Sequence, residues 1–449
     1  MEKQSSIFEN LKDICVKNIK TIKDTRKARS DLKYSFKDII LGAFSLFYFQ
    51  NSSWLKFQKK MQTKSGKNNA KTLFGIENIP VDNHIRNILD KIEPKAFQKI
   101  YEDILEECVK LKIINQFVFM KKYLLVALDG THYHSSKKIK CKCCQSKKDS
   151  KTGIINYFHT AITPTIVHPK VKKVIALFQE FISNEDGEKK QDCEINASKR
   201  WLDKFTFFSR KYKLIILGDD LYSRVPMIRK IKEKGHSFIL VCKKTSHKIL
   251  YEQIETFKLA NSHKTVTIEK MHNGKKQFLT YNFINGLLLT GSNIDNEEVN
   301  WCELIITNSE GKKLHTFSFV TNLKITSNNV QEIVEGGRTR WKIENENNNT
   351  LKTQGYNLEH NFGHGNQYLS QNLCTLNILA FLFHTIQDLY DSLYIELRSN
   401  IGARKDLFEA MNVLTSMFTF ISFDKMIEFI LLSRQSDEQV PLKDFILLD

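Results

Sequence analysis

Phe36, Ile39, Ile40, Ala43, Phe44 and Phe47 recur at helical spacing, giving an apolar stripe down one face. Ser35, with Asp38 three residues on, predicts an N-cap of capping-box type with Asp in place of Glu. Residues 1–115 read as helical, apart from 56–71, whose Lys, Asn, Ser and Gly content predicts a solvated loop. From about residue 120 the pattern changes to short apolar runs. Those at 123–129, 157–167, 172–182, 213–219 and 236–242 are predicted strands. Residues 193–211 and 225–234 are predicted helices before the fourth and fifth of them. Three consecutive strands followed by helix–strand alternation predict a mixed α/β layout. Residues 244–320 depart from that alternation. Their β-type runs at 278–290 and 301–307, separated by Gly and Asn, predict an inserted β-rich module. Helical character returns at 328 and dominates to the C-terminus, and no internal repeat is visible.

Length adds that 449 residues exceed one ordinary domain. A formal charge of +18 and a pI near 9.3 point to a polyanionic partner, nucleic acid first. A basic membrane-surface protein would need an amphipathic basic helix or a lipid anchor, and neither is evident. The polar opening Met1-Glu2-Lys3-Gln4-Ser5 predicts no secretory signal, and the longest apolar run, 39–49, is too short to cross a bilayer. Nine cysteines in a chain this long do not make a disulfide scaffold. The expectation is a reduced, cytoplasmic protein without a membrane partner.

Three carboxylates change the picture further. Leu124-Leu125-Val126-Ala127-Leu128 ends in Asp129, and Leu214-Ile215-Ile216-Leu217-Gly218 ends in Asp219. Continuous apolar runs of this length predict strands buried on both faces. A carboxylate beside such a strand is costly unless it is paired or binds a cation. Two at equivalent strand ends therefore predict a shared divalent-ion site, completed from elsewhere in the chain. Glu344, in Arg340-Trp341-Lys342-Ile343-Glu344, is the candidate third ligand. Phosphoryl transfer of this kind uses two cations about 4 Å apart, and magnesium, with manganese as substitute, takes such oxygen ligands. For a single Asp the plain alternative is a turn former or helix cap.

Leu128-Asp129-Gly130-Thr131, Gly218-Asp219-Asp220-Leu221-Tyr222 and Arg340-Trp341-Lys342-Ile343-Glu344 resemble the three acidic motifs of DDE transposases. The insertion-sequence-four type is the nearest, with an RNase H-like core interrupted by a β-strand insertion. The resemblance covers about 120–375 and includes Asp192-Cys193-Glu194 and the run Leu358-Glu359-His360-Asn361-Phe362-Gly363-His364-Gly365. It implies a helical DNA-binding or dimerising region over 1–115, an α/β core over 120–243 and 321–375, an insertion over 244–320 and a helical tail over 376–449. It implies Asp129, Asp219 and Glu344 as catalytic, metal-holding residues. Tyr222, three residues after Asp219, favours Asp219 over Asp220, for which helix capping is the alternative role. Arg340 and Glu344 fit the third motif, whereas Gly337 and Leu351 stand where the family has Tyr and Lys, with Lys352 one residue on. Arg340 can hold a phosphate by paired hydrogen bonds or simply pair with Glu344.

The activity implied is hydrolysis at the ends of a mobile element, then attack of the freed 3′-hydroxyl, through a hairpin, on target DNA. The implied partners are terminal inverted repeats and target DNA, with a homodimer in the DNA complex and association with a bacterial nucleoid. Arg338, Arg340, Lys352, Lys137, Lys138 and Lys140 are candidate DNA contacts, which should give a steep salt dependence. Trp301 is a candidate for stacking on an unpaired base, worth about 1–3 kcal/mol, against a buried strand Trp. Cys141 and Cys144 have zinc-knuckle spacing, with His132, His134 and His159 as completing ligands. Lacking a second such pair they read as unliganded thiols, so zinc is not expected. Cys193 is expected in the core. Asn345, Asn347, Asn348 and Asn349 are poor helix formers without an evident role. The rival readings are a nuclease that cuts without joining and a non-catalytic DNA-binding protein of transposon descent.

Overall fold

In the computed structural model, which describes residues 6–27, 32–182, 193–205, 212–291, 296–435 and 440–447, the apolar runs become strands of two sheets. In chain order these are β1 (Val118–Phe119), β2 (Tyr123–Ala127), β3 (Gly130–Ser136), β4 (Gln145–Lys148), β5 (Ile155–Ile162), β6 (Thr165–His168) and β7 (Val171–Ala176). There follow β8 (Glu180–Ile182), β9 (Lys213–Gly218), β10 (Ser237–Val241), β11 (Lys264–His272), β12 (Lys275–Leu288), β13 (Glu298–Asn308) and β14 (Lys313–Thr321).

The larger sheet has the order β11-β12-β13-β14-β10-β9-β2-β6-β7, with β1 also pairing with β2. Strands β2, β9 and β10 are parallel neighbours, while β6, β7 and β14 join antiparallel. The result is a mixed sheet with helical segments at both ends of the chain. Leu124–Leu128 and Leu214–Leu217 are all buried, the continuous burial that a strand covered on both faces requires.

Several boundaries differ from the sequence reading. The run 157–167 divides at Thr163-Pro164, where the chain leaves β5, which pairs with β3, β4 and β8 in a four-stranded sheet, and enters β6 in the larger one. The run 172–182 divides in the same way into β7 and β8. The helix predicted over 193–211 is Glu194–Lys204, and 206–211 lie outside the described residues. Strands β11–β14 are a meander, preceded by the helix Lys248–Leu259, that extends the same sheet through β14 and β10 rather than making a separate one.

Residues 56–71 are not a loop. They fall in the helices Trp54–Met61 and Lys64–Phe74, capped by Ser53 and Thr63. Phe57, Met61, Ala70 and Leu73 are buried at helical spacing, which outweighs the polar composition. Ser35 caps Phe36–Tyr48 as expected, but the Asp38 carboxylate does not reach back. It accepts from the Glu77 and Asn78 amides, both at 3.2 Å.

The apolar stripe on Phe36–Tyr48 packs against the helix Leu369–Tyr390, so the two helical ends of the chain form one body. Tyr48 donates to Gln387 at 2.7 Å, and Phe44 and Phe383 lie 4.9 Å apart between ring centres. Leu369–Tyr390 is also long and apolar enough to cross a membrane by length and composition. Its apolar stretch is wholly buried inside the protein, which is the setting of a core helix.

Candidate acidic site and sulfur–imidazole cluster

β2 and β9 run side by side in register from Tyr123/Lys213 to Ala127/Leu217, and the Leu128 amide donates to the Leu217 carbonyl at 2.9 Å. Asp129 and Asp219 therefore leave adjacent parallel strands at the same end. The Asp220 carboxylate is instead engaged by the Lys243 amide at 2.7 Å and lies 3.5 Å from His247. The charges acting on Asp129 include those of Glu194, Arg340, Glu344 and Asp219, so Asp219 is the member of the Asp219-Asp220 pair that acts on Asp129.

Burial, then the charge of Glu194, pushes Asp129 up to about 7, with Glu344 and Asp219 adding to the effect and Arg340 opposing it. Glu194 also has a raised pKa, chiefly from burial, although a hydrogen bond from Tyr222 opposes the shift. Tyr222 donates to Glu194 at 2.8 Å, so the aromatic that marks the second motif serves to hold a fourth acid. Gly130 makes room for it, because a Cβ there would lie 2.7 Å from a Glu194 oxygen. The sequence reading included Glu194 in the resemblance but gave it no role. Asp192 lies outside the described residues.

Glu344 stands in a π-helical turn, Ile343–Asn348, with its side chain half exposed and paired to Arg340 at 2.5 Å. Such widened turns recur at functional sites. This one accounts for part of the Asn run. Asn347 and Asn348 are buried; Asn348 donates to Asp129 at 3.2 Å and accepts from Thr163 at 2.7 Å. Beside them, the Lys342 ammonium donates to the carbonyls of His168 and Val171, each at 2.6 Å, and pins the turn between β6 and β7. Asn348→Leu is expected to cost about 1–3 kcal/mol by leaving Thr163 and Asp129 unsatisfied. Urea unfolding of the variant measures this, and an unchanged midpoint would refute the role.

The other candidates separate. Trp301 is fully buried in β13, donating to Ser318 at 2.8 Å, so it is a core strand Trp with no face to offer a base. Arg338 is exposed and stacks on Phe317, 4.5 Å from the ring centre, while Lys352 pairs with Glu359 at 2.8 Å. Gly337 packs its helix on the sheet, where a Cβ would lie 2.8 Å from Ile239 and Phe319, so a Tyr does not fit there. Leu351 is buried core. Lys137, Lys138 and Lys140 are exposed on the loop after β3. Cys193, expected in the core, is exposed at the start of its helix.

The metal expectation needs correction. Two magnesium or manganese ions on Asp129, Asp219 and Glu344, with zinc absent, are not what the donor atoms favour. Among the described residues, the one set of donors drawn within 4.8 Å of one another is Cys141, Cys144, His159 and His364. Thiolate and imidazole suit zinc, whereas magnesium takes hard oxygen. Sequence spacing found Cys141, Cys144 and His159. His364 was legible only as part of the resemblance. His132 instead hydrogen-bonds Thr160 at 3.1 Å, and His134 packs on the His364 ring with centres 4.4 Å apart.

No protein-family model matches the chain, and no curated protein matches it.

Proposed function

We propose that the acidic site cuts and rejoins DNA, and that the chain is a DDE-type transposase whose RNase H-like core is interrupted before Glu344 by the β11–β14 meander. The observation that carries this reading is that the charges of Asp219 and Glu344, acids far away in the chain that its motifs single out, both act on Asp129. The mixed sheet supports it, since the first two acids leave neighbouring parallel strands. So do the charge of +18 and the exposed lysines after β3.

In the proposed reaction Asp129, with a pKa of about 7, takes the proton of the attacking water, the range in which a general base works best near neutral pH. Arg340, already beside the acids, turns its guanidinium to the phosphate. Water adds at phosphorus, the bond to the leaving oxygen breaks, and a 3′-hydroxyl is released at the element's end. That hydroxyl then attacks a second phosphodiester, forming a new P–O bond as the bond to the displaced strand's oxygen breaks, which gives a joined product.

Glu344→Gln is expected to lower cleavage about 100-fold or more while leaving DNA affinity within about twofold, because one charge of many phosphate contacts is changed. The assay incubates the full chain with DNA carrying the sequence that flanks its gene, and scores cut and target-joined strands. Unchanged cleavage by the variant would remove Glu344 from the site. Cut strands that never join would leave a nuclease, and a wild-type chain that neither cuts nor joins would sink the reading.

A further inference from the structure

We propose that Cys141, Cys144, His159 and His364 form a closed structural zinc site, independent of the acidic site, that ties the small sheet to the loop entering the Leu369–Tyr390 helix. The two sulfurs lie 3.8 Å apart, and the His159 Nε2 sits 3.4 Å from each. The His364 Nε2 lies 3.2 Å from the Cys144 sulfur. A tetrahedral ion with Zn–S near 2.3 Å and Zn–N near 2.0 Å places its sulfurs about 3.8 Å apart and each sulfur about 3.5 Å from each nitrogen. These four edges match to within a few tenths of an ångström, and all four donor atoms lie within 4.8 Å of one another. They do not match a disulfide, whose sulfurs bond at about 2.0 Å.

The local backbone also suits a knuckle. The Cys144 amide donates to the Cys141 carbonyl at 3.3 Å, closing a tight turn, and the Cys141 amide points at the Cys144 sulfur at 3.3 Å. His159 and His364 are 1% and 7% exposed, and the Nδ1 atom of each is buried without a hydrogen-bond partner. Four protein ligands leave no open position, which marks a structural rather than a catalytic site. His364 comes 220 residues after Cys144, so the ion would cross-link distant segments. The Lys142 amide donates to the Asn366 carbonyl at 3.2 Å along the same seam.

Metal analysis of the full-length chain purified from zinc-supplemented cells is expected to find about one zinc per chain. Cys144→Ser and His364→Ala should each lower this about tenfold, while His132→Ala, outside the donor set, keeps it. Where a variant does not fold, the wild-type protein suffices. Titration with an organomercurial should release about one zinc as thiols are capped, and cobalt replacement should give the intense visible bands of a tetrahedral thiolate site. Zinc absent from the wild-type chain, another metal in its place, or zinc retained by folded Cys144→Ser overturns the proposal. None of these readouts depends on DNA cleavage.

Discussion

Asp129→Asn is expected to abolish the proposed DNA cleavage while making the folded protein more stable at pH 8. Both effects come from one carboxyl group. In the folded chain burial and the charge of Glu194 raise its pKa to about 7, whereas an unfolded Asp titrates near about 3.9. Between those values the folded state holds a proton that the unfolded chain has released, so stability falls as pH rises. Below about 4 both states are protonated and the group costs nothing; above about 7 the full cost is present. Asn does not titrate, keeps the shape and can still hydrogen-bond Asn348. Its advantage should therefore grow from nothing near pH 4 to on the order of 4 kcal/mol at pH 8. The same change removes the proposed base, and cleavage should fall about 1,000-fold or more. Urea unfolding at pH 5 and pH 8, beside the cleavage assay, tests both arms. A variant no more stable than wild type at pH 8 would contradict the burial argument, and one that cuts normally would contradict the role. Stability given up at a working site is the trade expected of such a group.

Asp388→Ala is expected to lose about 3–5 kcal/mol, because it strands buried cations. Asp388 lies on the Leu369–Tyr390 helix with its side chain 2% exposed, and accepts from Lys173 of β7 at 2.6 Å and Arg404 at 2.7 Å. Arg398 stands 3.5 Å away. Burial works against its ionisation, yet the charges of Arg404 and Lys173 hold its pKa below the ordinary value. Arg404 donates its other arm to Tyr356 at 3.1 Å, so one carboxylate joins the sheet to three C-terminal helical segments. Asp388→Asn, which keeps a hydrogen-bond acceptor, should lose less. Thermal unfolding below neutral pH compares the three proteins. A drop for Ala no larger than for a surface substitution would show that the cluster does not hold these elements together.

The legible parts of this chain were those where one local signal suffices. Leu124–Leu128 and Leu214–Leu217 announce strands covered on both faces, and the Asp that ends each is visible because charge follows uninterrupted apolar residues. The stripe from Phe36 to Phe47 and the Ser35 cap are equally local. Composition misled at 56–71, where few apolar residues are enough because each is buried at helical spacing. It also hid β3 and β4, polar strands such as His132 to Ser136, whose pairing across β5 sets their structure. Trp301 was ambiguous on its own, since a strand Trp can face either core or ligand, and only the stack of neighbouring strands put it inside.

The two strand-end acids, the helical ends, the basic charge and the spacing of Cys141 and Cys144 could be read from the chain alone, because each is written within one turn or one strand. That Glu194 and Asn348 lean on Asp129, that the charge of Asp219 acts on it, and that His364 comes up to Cys144 emerged from the fold. Those relations depend on which distant segments pack together, and burial energy, summed over the whole core, is not encoded in any single stretch of chain.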